Sequence, residues 1–120
     1  MEFSHLQALV IKIVERYCAQ FNIPLDATYA QLKLYEEVGE FTQAVLRRQG
    51  LARPEKRSDP ETAKTAIAAE LTDIIGMAIL NAHLLGIDLE EAFARKWFDK
   101  LDRSGAAMDS YTDLPVVNKK

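Results

Sequence analysis

Proline sets the first limit on this chain. It occurs only at positions 24, 54, 60 and 115, so residues 25–53 and 61–114 lack the one residue that interrupts a helix outright. No long β-branched run alternates with polar residues in those stretches. Apolar residues return instead at three- and four-residue steps. Phe3, Leu6, Val10, Ile13, Val14 and Tyr17 show the pattern at the start of the chain, as an amphipathic helix requires.

Helix boundaries follow from local chemistry. The first helix spans residues 3–21 and is closed by Asn22-Ile23-Pro24, because the residue before proline disfavours helix. A second begins at a cap, Asp26 or Thr28, and runs to about Gln49, where Gly50 supplies the stop. Residues 50–59 read as a polar, mainly basic loop carrying Arg53, Lys56 and Arg57. Asp59-Pro60-Glu61 then combines a capping carboxylate, proline at the first helical position and an acid in the first turn. The third helix reaches Leu85, roughly 39 Å at 1.5 Å per residue. Gly86-Ile87-Asp88 closes it and opens the fourth, with Asp88 as cap and Glu91 in the capping-box position. Leu89, Phe93, Trp97 and Leu101 line one side of that helix, which ends near Ser104-Gly105. The expectation is a single all-α domain over residues 1–105, a four-helix bundle-type protomer, followed by a mobile tail over 106–120.

Composition removes several classes. A net charge of -3 argues against a general nucleic-acid binder. The single cysteine, Cys18, rules out an internal disulfide and reads as a small buried side chain. His5, His83 and Cys18 lie too far apart in sequence to suggest a zinc ligand set. Met1-Glu2-Phe3-Ser4-His5 is not a secretion signal, and the longest apolar run is interrupted short of a membrane span. A cytoplasmic protein with no nucleic-acid or membrane partner is expected.

Acids stand out inside this apolar pattern. Glu36-Glu37-Val38-Gly39-Glu40 lies within the second helix and Glu70-Leu71-Thr72-Asp73 within the third. With 100° per residue and Glu37 at zero, Ala44, Ala30, Phe41, Leu34, Val45 and Val38 fall between about -20° and +100°. Glu37 therefore lies inside the apolar arc. Glu40 borders it at about -60°, with Lys33 beside it. Glu36 sits farther round. On the third helix Glu70 is flanked by Ala66, Met77, Ala63, Ile74, Ile67 and Leu71, and Asp73 borders that face as Glu40 borders the other. Antiparallel packing of the two helices brings the pairs together. Unpaired buried carboxylates are costly, and a cation relieves that cost. Oxygen-only ligands select a hard ion, Mg²⁺ or Mn²⁺, over Ca²⁺, for which no turn-rich loop is present.

A magnesium held this way commonly serves phosphate chemistry, which calls for nearby cations. Lys96, Lys100 and Arg103 recur at four- and three-residue steps on the fourth helix, and Arg53, Lys56 and Arg57 are a second set. Asn81 returns to the face of Glu70, either to bond a substrate or as a satisfied core asparagine. Trp97, Phe93 and Phe98 read as packing residues before base-stacking ones.

Glu36-Glu37-x-x-Glu40 followed by Glu70-x-x-Asp73 resembles the EExxE…ExxD signature of MazG-like nucleoside triphosphate pyrophosphohydrolases, over roughly residues 28 to 103. The contexts Leu34 to Phe41 and Gly86 to Ala92 are similar as well. The resemblance implies an all-α fold assembling as a homodimer or a dimer of dimers, with active sites near the protomer interface. The implied reaction is hydrolysis of a (d)NTP to (d)NMP and pyrophosphate, in a house-cleaning or nucleotide-pool role. Glu37, Glu40, Glu70 and Asp73 would be the Mg²⁺ ligands, with Glu36 supporting or additional. Glu37 or Glu40 would accept the proton of the attacking water. Lys96 and Arg103 match the lysine and arginine of the family's K-x-x-x-N-x-x-R pattern and would meet phosphates. Lys100 stands where that pattern has asparagine, and Lys33 is a further candidate for substrate contact. Two other readings remain: a phosphoribosyl-ATP pyrophosphohydrolase, and a non-catalytic, metal-stabilised interaction module.

Overall fold

In the computed structural model, residues 1–103 are described, and every regular element among them is helical. Their order is α1 (Phe3–Gln20), α2 (Ala27–Arg48), a 3₁₀ turn (Pro54–Lys56), α3 (Pro60–Leu85), α4 (Leu89–Phe93), a π-helical turn (Ala94–Phe98) and α5 (Asp99–Arg103). The expected tail over 106–120 lies outside the described residues. The chain divides into two units, Met1–Ile87 and a second that starts at Asp88.

The caps are largely those expected. Asp26 starts α2 by accepting the amide hydrogen of Tyr29 at 2.9 Å, so Asp26 rather than Thr28 is the cap. Asp59 accepts from the amide of Thr62 at 3.0 Å and from its hydroxyl at 2.6 Å. Gly86 ends α3 with φ of 69°, a left-handed conformation that glycine adopts without strain. After α1 the chain turns at Asn22, whose φ is 53°, a region where asparagine is enriched.

In the first unit α2 and α3 run antiparallel. The start of α2 meets the end of α3, because the Asn81 amide donates to the carbonyl of Ala30 at 2.9 Å. Small residues line this contact: Ala30, Ala44 and Ala63 are buried, which lets the two backbones approach closely. Larger side chains fill in beside them, with Ile79 and Leu80 fully buried. Helix α1 adds Ile11, Val14 and Cys18. Cys18 is buried as expected, and a hydrogen bond to it, after burial itself, raises the pKa of the Tyr29 phenol.

Helix α3 is long and apolar enough to cross a bilayer by length and composition, with mean hydropathy 1.3. Its middle turns nevertheless carry Glu70 and Asp73. An acid at a bilayer centre costs roughly 2.5–3.5 kcal/mol on insertion scales, whereas here both meet the acids of α2.

The second unit keeps the expected helix from Leu89 to Arg103 but widens it over Ala94–Phe98. Leu89, Phe93, Trp97 and Leu101 repeat strictly every four residues, which in an α-helix drifts about 40° per step. The wider turn at Ala94–Phe98 offsets that drift, since a π-turn closes on i→i+5 bonds. Periodicity alone does not reveal such a turn, because a few drifting steps still read as one stripe. Asp88 caps this segment by accepting from the amide of Glu91 at 3.1 Å.

Candidate active site

Four carboxylates from two helices converge in the first unit. Glu37 and Glu40 come from α2, Glu70 and Asp73 from α3, and one oxygen from each lies within 4.8 Å of all the others. The spacing explains the convergence. Residues three apart on a helix are surface neighbours, so each helix supplies an adjacent pair, and antiparallel packing sets one pair against the other.

The four are not equivalent. Glu37 is buried and Glu70 half-buried, while Glu40 and Asp73 are exposed. The Oε2 atoms of Glu37 and Glu70 are both buried without a hydrogen-bond partner. Burial pushes the Glu37 carboxyl up to about 7, helped by hydrogen bonding to Glu40 and by the charges of Glu40 and Asp73, and opposed by Lys33. Glu70 is raised for the same first reason, with the charges of Glu40 and Asp73 adding to it. Desolvation and mutual repulsion both disfavour ionised acids here.

This arrangement fits a divalent cation. The donors are all oxygen, they lie close enough to share one ion, and two of them each bury one oxygen without a hydrogen-bond partner. A hard cation supplies the missing positive charge and coordinates oxygen by preference. Neutral hydrogen-bond donors would relieve the orphaned oxygens but not the repulsion among the acids.

The other expected residues are distributed differently. Glu36 is exposed and outside the quartet, because one residue of helix turns it about 100° from Glu37; it pairs with Lys33 instead. Lys33 also lies 3.8 Å from Glu37. The helical wheel sets Lys33 beside Glu40, yet the side chain meets its i+3 and i+4 neighbours. Asn81 donates to the carbonyls of both Ala30 and Met77, the latter at 2.8 Å, as a core asparagine that ties α3 to α2 does. In the second unit Lys96 is exposed, and the Lys100 ammonium lies 5.6 Å from the centre of the Trp97 ring. The Arg103 side chain lies outside the described residues.

One feature escapes the sequence reading. Gln43 and Arg47 border a groove with the basic loop residues Arg53 and Lys56. The available signal was the seven-residue step from Glu40 to Arg47, which repeats a helix face.

Among known proteins, the family model described as phosphoribosyl-ATP pyrophosphohydrolase matches residues 20–96, a span that holds all four acids and Lys96. No curated protein and no solved structure gives a match.

Proposed function

The chain belongs to the phosphoribosyl-ATP pyrophosphohydrolase family, within the MazG-like all-alpha NTP pyrophosphatases, and from that premise we propose that it cleaves phosphoribosyl-ATP between its α- and β-phosphates. Pyrophosphohydrolysis of a nucleotide-like substrate is the chemistry of the family. The family description favours phosphoribosyl-ATP over an ordinary (d)NTP, whose cleavage would use the same acids. Products are the corresponding monophosphate and pyrophosphate, in a cytoplasmic setting.

The observation that carries the reading is the pair of buried, partnerless oxygens on Glu37 and Glu70 inside a four-carboxylate cluster. In the proposal Glu37, Glu40, Glu70 and Asp73 hold Mg²⁺, with Mn²⁺ as a substitute. When bound, the cation neutralises polyphosphate charge and makes water more acidic. Glu37 or Glu40 takes the proton of the attacking water, both being carboxylates of the cluster. Lys33 balances the charge of Glu36 and Glu37 and stands ready for a phosphate oxygen. By resemblance to the family pattern, Lys96 is assigned to the leaving pyrophosphate and Arg103 to a phosphate contact. Leu32 and Tyr35 on α2 and Leu71 and Ile75 on α3 are exposed, which supports a homodimer or homotetramer that would cover them.

A pyrophosphate-release screen over phosphoribosyl-ATP and the common nucleoside triphosphates, with and without Mg²⁺, tests this. Magnesium-dependent release from phosphoribosyl-ATP is expected. Stabilisation by Mg²⁺ with no release from any substrate would leave the non-catalytic module as the better account.

A further inference from the structure

Beyond the acids, the same side of α2 leads into a basic groove. It encloses about 290 Å³ and is lined by Gln43, Leu46, Arg47, Ala52, Arg53 and Lys56. The loop after α2 is folded back to make it. Gly50 turns the chain with φ of 70°, and the Leu51 amide donates to the carbonyl of Leu46 at 2.9 Å. Arg57 Nε then donates to the carbonyl of Ala52 at 3.0 Å, fixing one wall. Three cations border the space. Their nearby counter-charge is Glu55, 3.3 Å from Arg53 Nε, and among the described residues Arg47 and Lys56 have no ion pair. Basic residues in the last turn of α2 suit its dipole, but that does not explain Arg53 and Lys56, which the loop carries back.

The groove is in line with the acid cluster. Arg47 lies about 20° round the helix from Glu40 and about 10 Å farther along its axis, with Gln43 between. This spacing exceeds one phosphoanhydride link and is of the order of a nucleoside. Phosphoribosyl-ATP has a feature that ATP lacks: a ribose 5-phosphate, a second dianion remote from the anhydride that breaks. Arginine and lysine are the usual partners of such a group. A space of this size is larger than phosphate alone needs and accommodates a sugar phosphate.

We propose that this groove binds the distal ribose 5-phosphate of the substrate, with Arg47, Arg53 and Lys56 as its cationic contacts and Gln43 facing the sugar. The proposal rests on the functional reading above and deepens it, since the groove would select a phosphoribosyl nucleotide over a plain triphosphate.

The test compares the wild-type protein with an Arg53→Ser, Lys56→Ser double variant and with Arg47→Gln. For phosphoribosyl-ATP, KM should rise about tenfold on loss of charge-assisted contacts, with kcat near wild type. For ATP, KM or the inhibition constant should stay unchanged. In parallel, titrating the wild-type protein with ribose 5-phosphate should shift the NMR amide signals of Arg47, Ala52 and Arg53, and the double variant should lose the response. An equal rise for both nucleotides would assign the groove to the pyrophosphate end and overturn the proposal. Unchanged KM for phosphoribosyl-ATP, or no shift in groove amides, would overturn it too. If neither nucleotide is hydrolysed, the functional reading fails, and the ribose 5-phosphate titration alone decides the groove.

Discussion

Glu37 and Glu70 differ from Glu40 and Asp73 although all four belong to one cluster. The first two point inward, and each has a buried oxygen with no partner. The second two lie at the exposed rim. Each helix contributes one of each kind, so the site has a more buried floor and an exposed mouth. The floor is where ionised carboxylates are most costly and where a bound cation gains most. The mouth acids stay solvated and add charge at little folding cost. Two groups of the same chemistry are thus expected to behave differently on mutation.

The largest effect should come from breaking the floor. Glu70→Gln should lower magnesium-dependent pyrophosphate release by at least about 10–100-fold, the loss seen when even a group that only supports a metal ligand is removed. A steady-state assay that finds wild-type turnover would remove Glu70 from the site. At the mouth, Asp73→Asn should weaken Mg²⁺ binding about 10–100-fold, by analogy with groups that support metal ligands. Calorimetric titration measures this, and the melting temperature without metal should hardly move.

Mg²⁺ should also separate floor from mouth in stability. An ion that binds only the folded chain adds about 2.7 kcal/mol at a hundred times its dissociation constant, so thermal melts at pH 8 should shift up by several degrees. The gain should vanish in Glu37→Gln, and a full shift in that variant would place the ion elsewhere.

The pH dependence without metal follows from Glu37, pushed up to about 7 from an unfolded value near 4.3. Between those values the unfolded chain has released this proton and the folded chain still holds it. The contribution of Glu37 is therefore fully present below about pH 4.3, declines as pH rises through 7 and is level above, a loss of about 3–4 kcal/mol. Denaturant titrations in chelator at pH 5 and 8 should show that slope in the wild type and a weaker one in Glu37→Gln. The smallest effect lies away from the acids. Asn81→Ala should cost about 0.5–1.5 kcal/mol in stability by removing the side-chain bond that ties α3 to the Ala30 carbonyl, with turnover per folded molecule unchanged.

Much of this fold was legible in the sequence because its signals are local. Asp59 and Pro60 mark the start of α3 and Gly86 its end, and each works through neighbours a few residues away. The cluster was legible for a related reason: acids three apart on two helices need one packing decision to bring them together. The π-turn in the second unit was hidden because a strict four-residue repeat mimics an α-helical stripe over a short span. The partners of Asn81 could not be chosen from spacing alone, since the Ala30 carbonyl lies 51 residues away. The basic groove depends on Arg57 reaching back to the Ala52 carbonyl, a contact that composition does not encode. Lys33 shows the limit of a helical wheel, which gives an azimuth but not where a long, flexible side chain ends.

Helix α3 offers α2 a surface rich in alanine, with Ala63 buried against it. Ile67, Ile74 and Met77 share that side of α3 with the alanines, and the Asn81 bond to the Ala30 carbonyl already favours one alignment. The paired acids sharpen that choice. A slip of one turn, about 5.4 Å, would pull Glu70 and Asp73 away from Glu37 and Glu40 and divide a shared cation between two half-sites. The site would therefore serve as a gauge that selects a single alignment of the two helices, and a cation held by the four acids would also set the spacing of the scaffold.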